Sequence, residues 1–202
     1  MPKIIAYTMA AAILIFSALP VNAAVEIGKP APEIEAVDTN GNPFKLSDHK
    51  GKIVVLEWTN HQCPFVVKHY GSGNMQAVQK TARDQDAEWI SIVSSAPERQ
   101  GHVSAEEANA ITADNGAKIT AKILDENGEI GKRYNAMTTP HMFVIDAEGN
   151  VAYAGAIDSN SSPNPKTIEG ATNYVLAAIE SLNNGTPVEI SQTRPYGCAV
   201  KY

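Results

Sequence analysis

The sequence predicts an α/β domain with a central mixed β-sheet flanked by helices, an N-terminal β-hairpin ahead of the sheet and a C-terminal tail behind it. Three observations carry this. The runs "IVVLEW" and "EWISIVSS" are apolar, rich in β-branched residues and of strand length, as buried parallel strands are. Helical patterns separate them. The segments "HMFVID" and "VAYAGAI", joined by a turn over Ala147 to Asn150, read as an antiparallel hairpin on the same sheet.

Taken in order, residues 1–23 carry one lysine, an apolar run from Ala10 to Leu19 and small residues at Val21 and Ala23. This is the pattern of a secretory signal peptide, with cleavage near Ala23 or Ala24; the run is too short to span a bilayer comfortably, and a retained anchor is the alternative. One domain is expected over residues 24–186. It opens with a short strand, a turn at Asn40-Gly41, a second strand around Phe44 and a turn at Lys50-Gly51. After Ile53 to Trp58 a helix begins at Pro64, breaks at Gly71-Ser72-Gly73 and resumes with Met75, Val78 and Ala82 on one face. Following "EWISIVSS", Ser104 with Glu107 predicts a capped helix that stops at Asn115-Gly116. "GEIGKRYNA" is a short helix ahead of the hairpin. The last helix is expected over "TIEGATNYVLAAIESLNNG", with Ile168, Ala171, Val175 and Ile179 at helical spacing. Residues 187–202 form a tail too rich in turn formers for a helix, lying along the surface.

With Lys3 set aside, 15 basic residues face 22 acidic ones, a net charge of −7. That balance argues against nucleic acid and anionic membrane surfaces as partners. The expected location is the periplasm of a Gram-negative bacterium, an oxidising compartment in which the two cysteines, Cys63 and Cys198, are easily paired. A chain of this size does not need a disulfide to fold, so the pair is open to chemistry.

Cys63 lies just beyond the carboxyl end of a buried strand, where open α/β sheets gather their sites. With Cys63 as helix cap, Pro64 takes the first helical position, where its missing N–H costs nothing. A thiolate there faces the positive end of the helix, which lowers a cysteine pKa and makes a nucleophile. The alternative is an inert buried cysteine. Downstream, "TTPHMFVID" places Pro140 at the first residue of a strand, tolerated there and a candidate for a cis bond.

The segments "VEIGKPAPEIEAVDTNGNPFKLSDHKGKIVVLEWTNHQCP" and "YNAMTTPHMFVIDAEGNVAYAG" resemble the thioredoxin-like redoxin superfamily, the AhpC/TSA and peroxiredoxin-like group. The resemblance implies a thioredoxin-like fold in which Thr139 and Pro140 sit against Cys63, their backbone meeting an extended substrate or the thiolate. Cys63 takes the place of the attacking thioredoxin cysteine, and Glu57, six residues before it, that of the buried acid. The second cysteine of CxxC is absent: the run is Cys63-Pro64-Phe65-Val66. Leu56 and Asn60 stand where a peroxiredoxin has proline and threonine, which puts fast peroxidase chemistry in doubt. The tail "RPYGCAVKY" resembles that of peroxiredoxin-like proteins that keep the first thioredoxin cysteine.

Three readings stay open. In the first, Cys63 attacks a disulfide, or slowly a hydroperoxide, and Cys198 resolves the product from a mobile tail for an external thiol reductant to reopen. Glu57 assists proton transfer, and Asn60 and His61 orient the thiolate. This is an antioxidant thiol oxidoreductase without a cofactor, acting on protein thiols and disulfides. In the second, Cys63, His61 and His69, with Cys198 or His141, hold Cu(I) or zinc, although the helix turns His69 away from Cys63 and both histidines suit exposed positions. In the third, Cys63–Cys198 is a permanent bridge in a binding protein, stabilising the fold by roughly 4 to 5 kcal/mol.

Overall fold

The computed structural model describes residues 25–202; the expected signal peptide lies outside the described residues. Five strands form the central sheet in the order β5-β4-β3-β7-β8: β3 (Val54–Trp58), β4 (Glu88–Val93) and β5 (Ala121–Leu124) run parallel, while β7 (His141–Ile145) and β8 (Val151–Gly155) are antiparallel. A separate hairpin, β1 (Glu35–Val37) with β2 (Pro43–Lys45), precedes it. Its turn is held by Asp38, whose Oδ1 accepts from the N–H groups of Asn40 and Asn42.

Alternation along the strands divides the core in two. Val54, Leu56, Trp58, Ile90, Ile92 and Phe143 face the hairpin and α4 (Glu129–Tyr134). On the other side Val55, Trp89, Met142 and Val144 face α2 (Asn74–Asp84) and α5 (Tyr174–Asn183). The expected face Met75, Val78 and Ala82 of α2 is buried there. The break at Gly71-Ser72-Gly73 separates α2 from α1 (Pro64–Gly71), with Gly73 at φ +78° opening α2. The expected cap of α3 (Ala105–Asp114) is a full capping box between Ser104 and Glu107.

Two expectations need correction. Strand β5 was not anticipated, because its short apolar run is interrupted by Lys122, whose side chain is nonetheless buried against the Ala108 carbonyl of α3. The last helix starts only at Tyr174: Gly170 sits at φ +78°, and Asn173 caps α5 by accepting from Leu176 N–H, so Ile168 and Ala171 lie ahead of it. The tail lies along the surface as expected and is docked along its length. Ser191 and Thr193 exchange backbone hydrogen bonds with Ala154 of β8. Cys198 and Ala199 form β9, antiparallel to β6 (Thr138–Thr139), with Cys198 opposite Thr139. Beyond it Lys201 O accepts from Ala96 N–H and the Tyr202 hydroxyl donates to Ala136 O.

Candidate active site

Everything that presents Cys63 is local to the turn after β3. The Asn60 carbonyl accepts from Cys63 N–H at 2.9 Å, its Oδ1 accepts from Gln62 N–H, and its Nδ2 donates to Gln100 O. Asn60 therefore builds the turn and spends its side chain on backbone partners. Cys63 is the N-cap of α1 with extended dihedrals, and Pro64 opens the helix. At the start of the adjacent strand β7 the Thr139-Pro140 bond, which is cis, brings the Thr139 carbonyl 3.0 Å from Cys63 Sγ.

The tail completes the site. Pairing of β9 with β6 carries Cys198 Sγ to 2.7 Å from Cys63 Sγ, both being free thiols. Such close approach needs Gly197: at φ +142°, it passes so near Thr139 that a Cβ would overlap the Thr139 carbonyl. Under this cover Cys63 is wholly buried, while Cys198 keeps part of its surface in solvent.

The two thiols are driven apart in acidity. Burial pushes Cys63 up, but hydrogen bonds from Cys198, Thr139 and the Val66 N–H outweigh it and bring it below the ordinary 9.0. The Thr139 hydroxyl is buried without a partner among the described residues, so it is free to turn to a thiolate once the S–H bond to its carbonyl is given up. Cys198 is pushed up to about 11, first by burial, then by its hydrogen bond with Cys63 and by that neighbour's charge. Thiolate absorbance in the ultraviolet is expected to rise first for Cys63, below pH 9, and for Cys198 only near 11. In Cys198→Ala the Cys63 midpoint moves up, because a donor to the thiolate is lost; an unmoved midpoint would rule out that donor.

The remaining expected residues stand further off. Glu57 is fully buried, and its carboxylate accepts from Tyr70 OH at 3.0 and 3.1 Å, Trp89 Nε1 at 2.8 Å, Ser91 Oγ at 3.2 Å and Gln79 Nε2 at 3.4 Å. It makes no hydrogen bond to either sulfur, which leaves the expected proton transfer without a direct path. His61 is half-buried at a small pocket shared with Thr59, Tyr70 and Lys122, and makes no hydrogen bond there to Cys63. His69 and His141, read as exposed or as metal ligands, are buried, and burial holds each down to about 4. His69 bonds Tyr196 and Asn74, and the His141 ring lies tilted against Phe143 with centroids 4.5 Å apart. Among the described residues no three His, Cys, Asp or Glu side chains converge as a metal site. Tyr196, Gly197 and the Thr139 hydroxyl are parts of the site that the sequence did not single out.

The family model of AhpC/TSA matches residues 27–154. The chain belongs to this family. Within its wider surroundings, the thiol-disulfide oxidoreductase ResA of Bacillus thuringiensis subsp. konkukian is 28% identical over 134 residues, covering 63% of this chain and 68% of the relative. A hypothetical protein from Sinorhizobium meliloti 1021 superposes with a TM-score of 0.74 at 22% identity, over 89% of this chain and 96% of that one. A putative thiol:disulfide interchange protein DsbE from Chlorobium tepidum gives 0.57 at 20% identity, over 77% and 99%. The structural likenesses show the fold, which is thioredoxin-like. In this AhpC/TSA domain the thiol that stands beside Cys63 comes from the tail, 135 residues downstream.

Proposed function

We propose that this protein is an exported thiol-disulfide oxidoreductase in which Cys63 and Cys198 form the exchanging pair. The 2.7 Å approach of a lowered thiol to a raised one is the observation that carries the reading. The ResA relative supports the reaction class, and the signal-like first residues support export to the periplasm.

Geometry also supports an order of events. Displacement at sulfur proceeds in line with the S–S bond, and the rate follows access and the acidity of the leaving thiol. In the bridged form an attack on Cys63 Sγ would have to come from the protein interior. An outside thiolate therefore attacks Cys198 Sγ, forming a mixed disulfide there and expelling Cys63 as a thiolate that keeps the bonding electrons. Thr139 OH and the N–H groups of Val66 and Cys198 receive that charge. A second thiol of the partner then displaces Cys198, leaving the partner oxidised and both protein thiols reduced; the reverse sequence reduces a partner disulfide and leaves the protein bridged. Hydroperoxides are the poorer substrates, because the groups meeting Cys63 include no cation to receive a leaving oxygen anion.

Redox titration of the mature protein in glutathione buffers tests this. A potential near or above about −200 mV is expected, and one well below about −300 mV would make the bridge permanent. On reaction of the oxidised protein with a monothiol, acid-quenched peptide mapping should find the first mixed disulfide on Cys198 and the free thiol on Cys63.

A further inference from the structure

A second buried polar cluster lies beside the thiol pair. Lys68 and His69 of α1 and Asp158 after β8 are almost wholly removed from solvent. Lys68 Nζ stands 3.7 Å from Asp158 Oδ2 and donates to Asn160 O at 3.0 Å. Buried charges of this kind are costly unless satisfied. What completes the cluster is the tail: the Tyr196 hydroxyl donates to Asp158 Oδ1 and lies 3.2 Å from His69 Nε2. With the single phenolic proton given to Asp158, the His69 contact requires a proton on Nε2. Its Nδ1 then accepts from Asn74 Nδ2 at 2.8 Å, so every group in the chain has a consistent role. The Tyr196 ring packs 5.8 Å from Phe65 and lies beneath Lys68, whose Nζ is 5.7 Å from its centroid.

Tyr196 precedes Cys198 by two residues, with only Gly197 between them. Phe65, Lys68 and His69 belong to the helix that Cys63 caps. One helix therefore carries the attacking thiol at its start and the socket for the opposing thiol's strand along its side. We propose that Tyr196 is a positioning residue, seated by Asp158 and His69, that sets Cys198 on Cys63 and governs how often the pair opens to an outside thiol or disulfide. The inference rests on the exchange reading above, but its central test does not need turnover.

In the reduced full-length protein Cys63 is reached only when residues around 196–199 lift away, so its rate of alkylation by iodoacetamide, followed by peptide mapping, reports that opening. Tyr196→Phe keeps the ring on Phe65 and leaves Lys68 paired with Asp158, removing one hydroxyl bonded to a charged acceptor. Alkylation of Cys63 is expected to rise about tenfold. Tyr202→Phe, which removes the hydroxyl bond of the tail's last tyrosine to Ala136, is expected to leave it unchanged. Unchanged alkylation of Cys63, or an equal rise in Tyr202→Phe, would overturn the positioning role. A wild-type bridge that thiols do not open would instead sink the exchange reading, while the alkylation comparison still judges Tyr196.

Discussion

Replacing Cys63 by serine is expected to lower disulfide exchange by about a thousandfold or more. A serine hydroxyl ionises far above the working pH, cannot form the bridge with Cys198 and cannot leave as a stabilised anion. The helix start and the donors from Thr139 and Val66 would face a neutral group they do nothing for. Cys198→Ser behaves differently: Cys63 remains able to attack a small aromatic disulfide once, and the product stays on it because the opposing thiol is gone. Turnover is lost while the first stoichiometric release of aromatic thiol survives. The comparison is made by following that release at single turnover, then insulin reduction with a dithiol at many turnovers. Wild-type rates in Cys63→Ser would remove Cys63 as nucleophile. Full turnover in Cys198→Ser would reduce Cys198 to an anchor for the tail.

The parts of this site that could be read from sequence are those fixed by neighbours in the chain. Pro64 after Cys63 marks a helix start, Ser104 with Glu107 marks another, and the unbroken apolar run before Cys63 marks a buried strand; each is a short-range steric or hydrogen-bonding fact. What stayed hidden depends on partners far away. Lys122 breaks the apolar pattern of β5, yet its ammonium is buried under α3, so a polar letter conceals a core strand. His69 reads as a solvated helix residue because its partners, Asp158 and Tyr196, are 89 and 127 residues along the chain. The tail looked loose because its order comes from edges it borrows, β8 and β6, and from a glycine whose need for positive φ appears only beside Thr139. Composition signals backbone freedom, and only the docked partner shows that the freedom is spent.

Glu57→Leu is expected to cost roughly 3 to 5 kcal/mol of stability, read as a lowered urea midpoint. The wild-type carboxylate is the common acceptor for Tyr70, Trp89, Ser91 and Gln79, all brought to it by α1, β4 and α2. Each buried donor left without a partner costs about 1 to 3 kcal/mol, but Tyr70 and Gln79 already bond one another at 3.0 Å, so the four losses do not add fully. Lys122, on the same sheet face two strands away, also loses the one acidic neighbour that favours its charge. The loss is thus a substantial share of the roughly 5 to 15 kcal/mol that holds an ordinary domain together. Glu57→Gln separates this from a part in the chemistry. It keeps the volume and one accepting oxygen, so a folded protein is expected, less stable than wild type, with exchange at Cys63 within a few-fold of normal. If Glu57→Gln instead unfolds at the wild-type urea midpoint but exchanges a hundredfold more slowly, the carboxylate serves proton transfer to the thiol pair, through a path that opens only when the tail lifts.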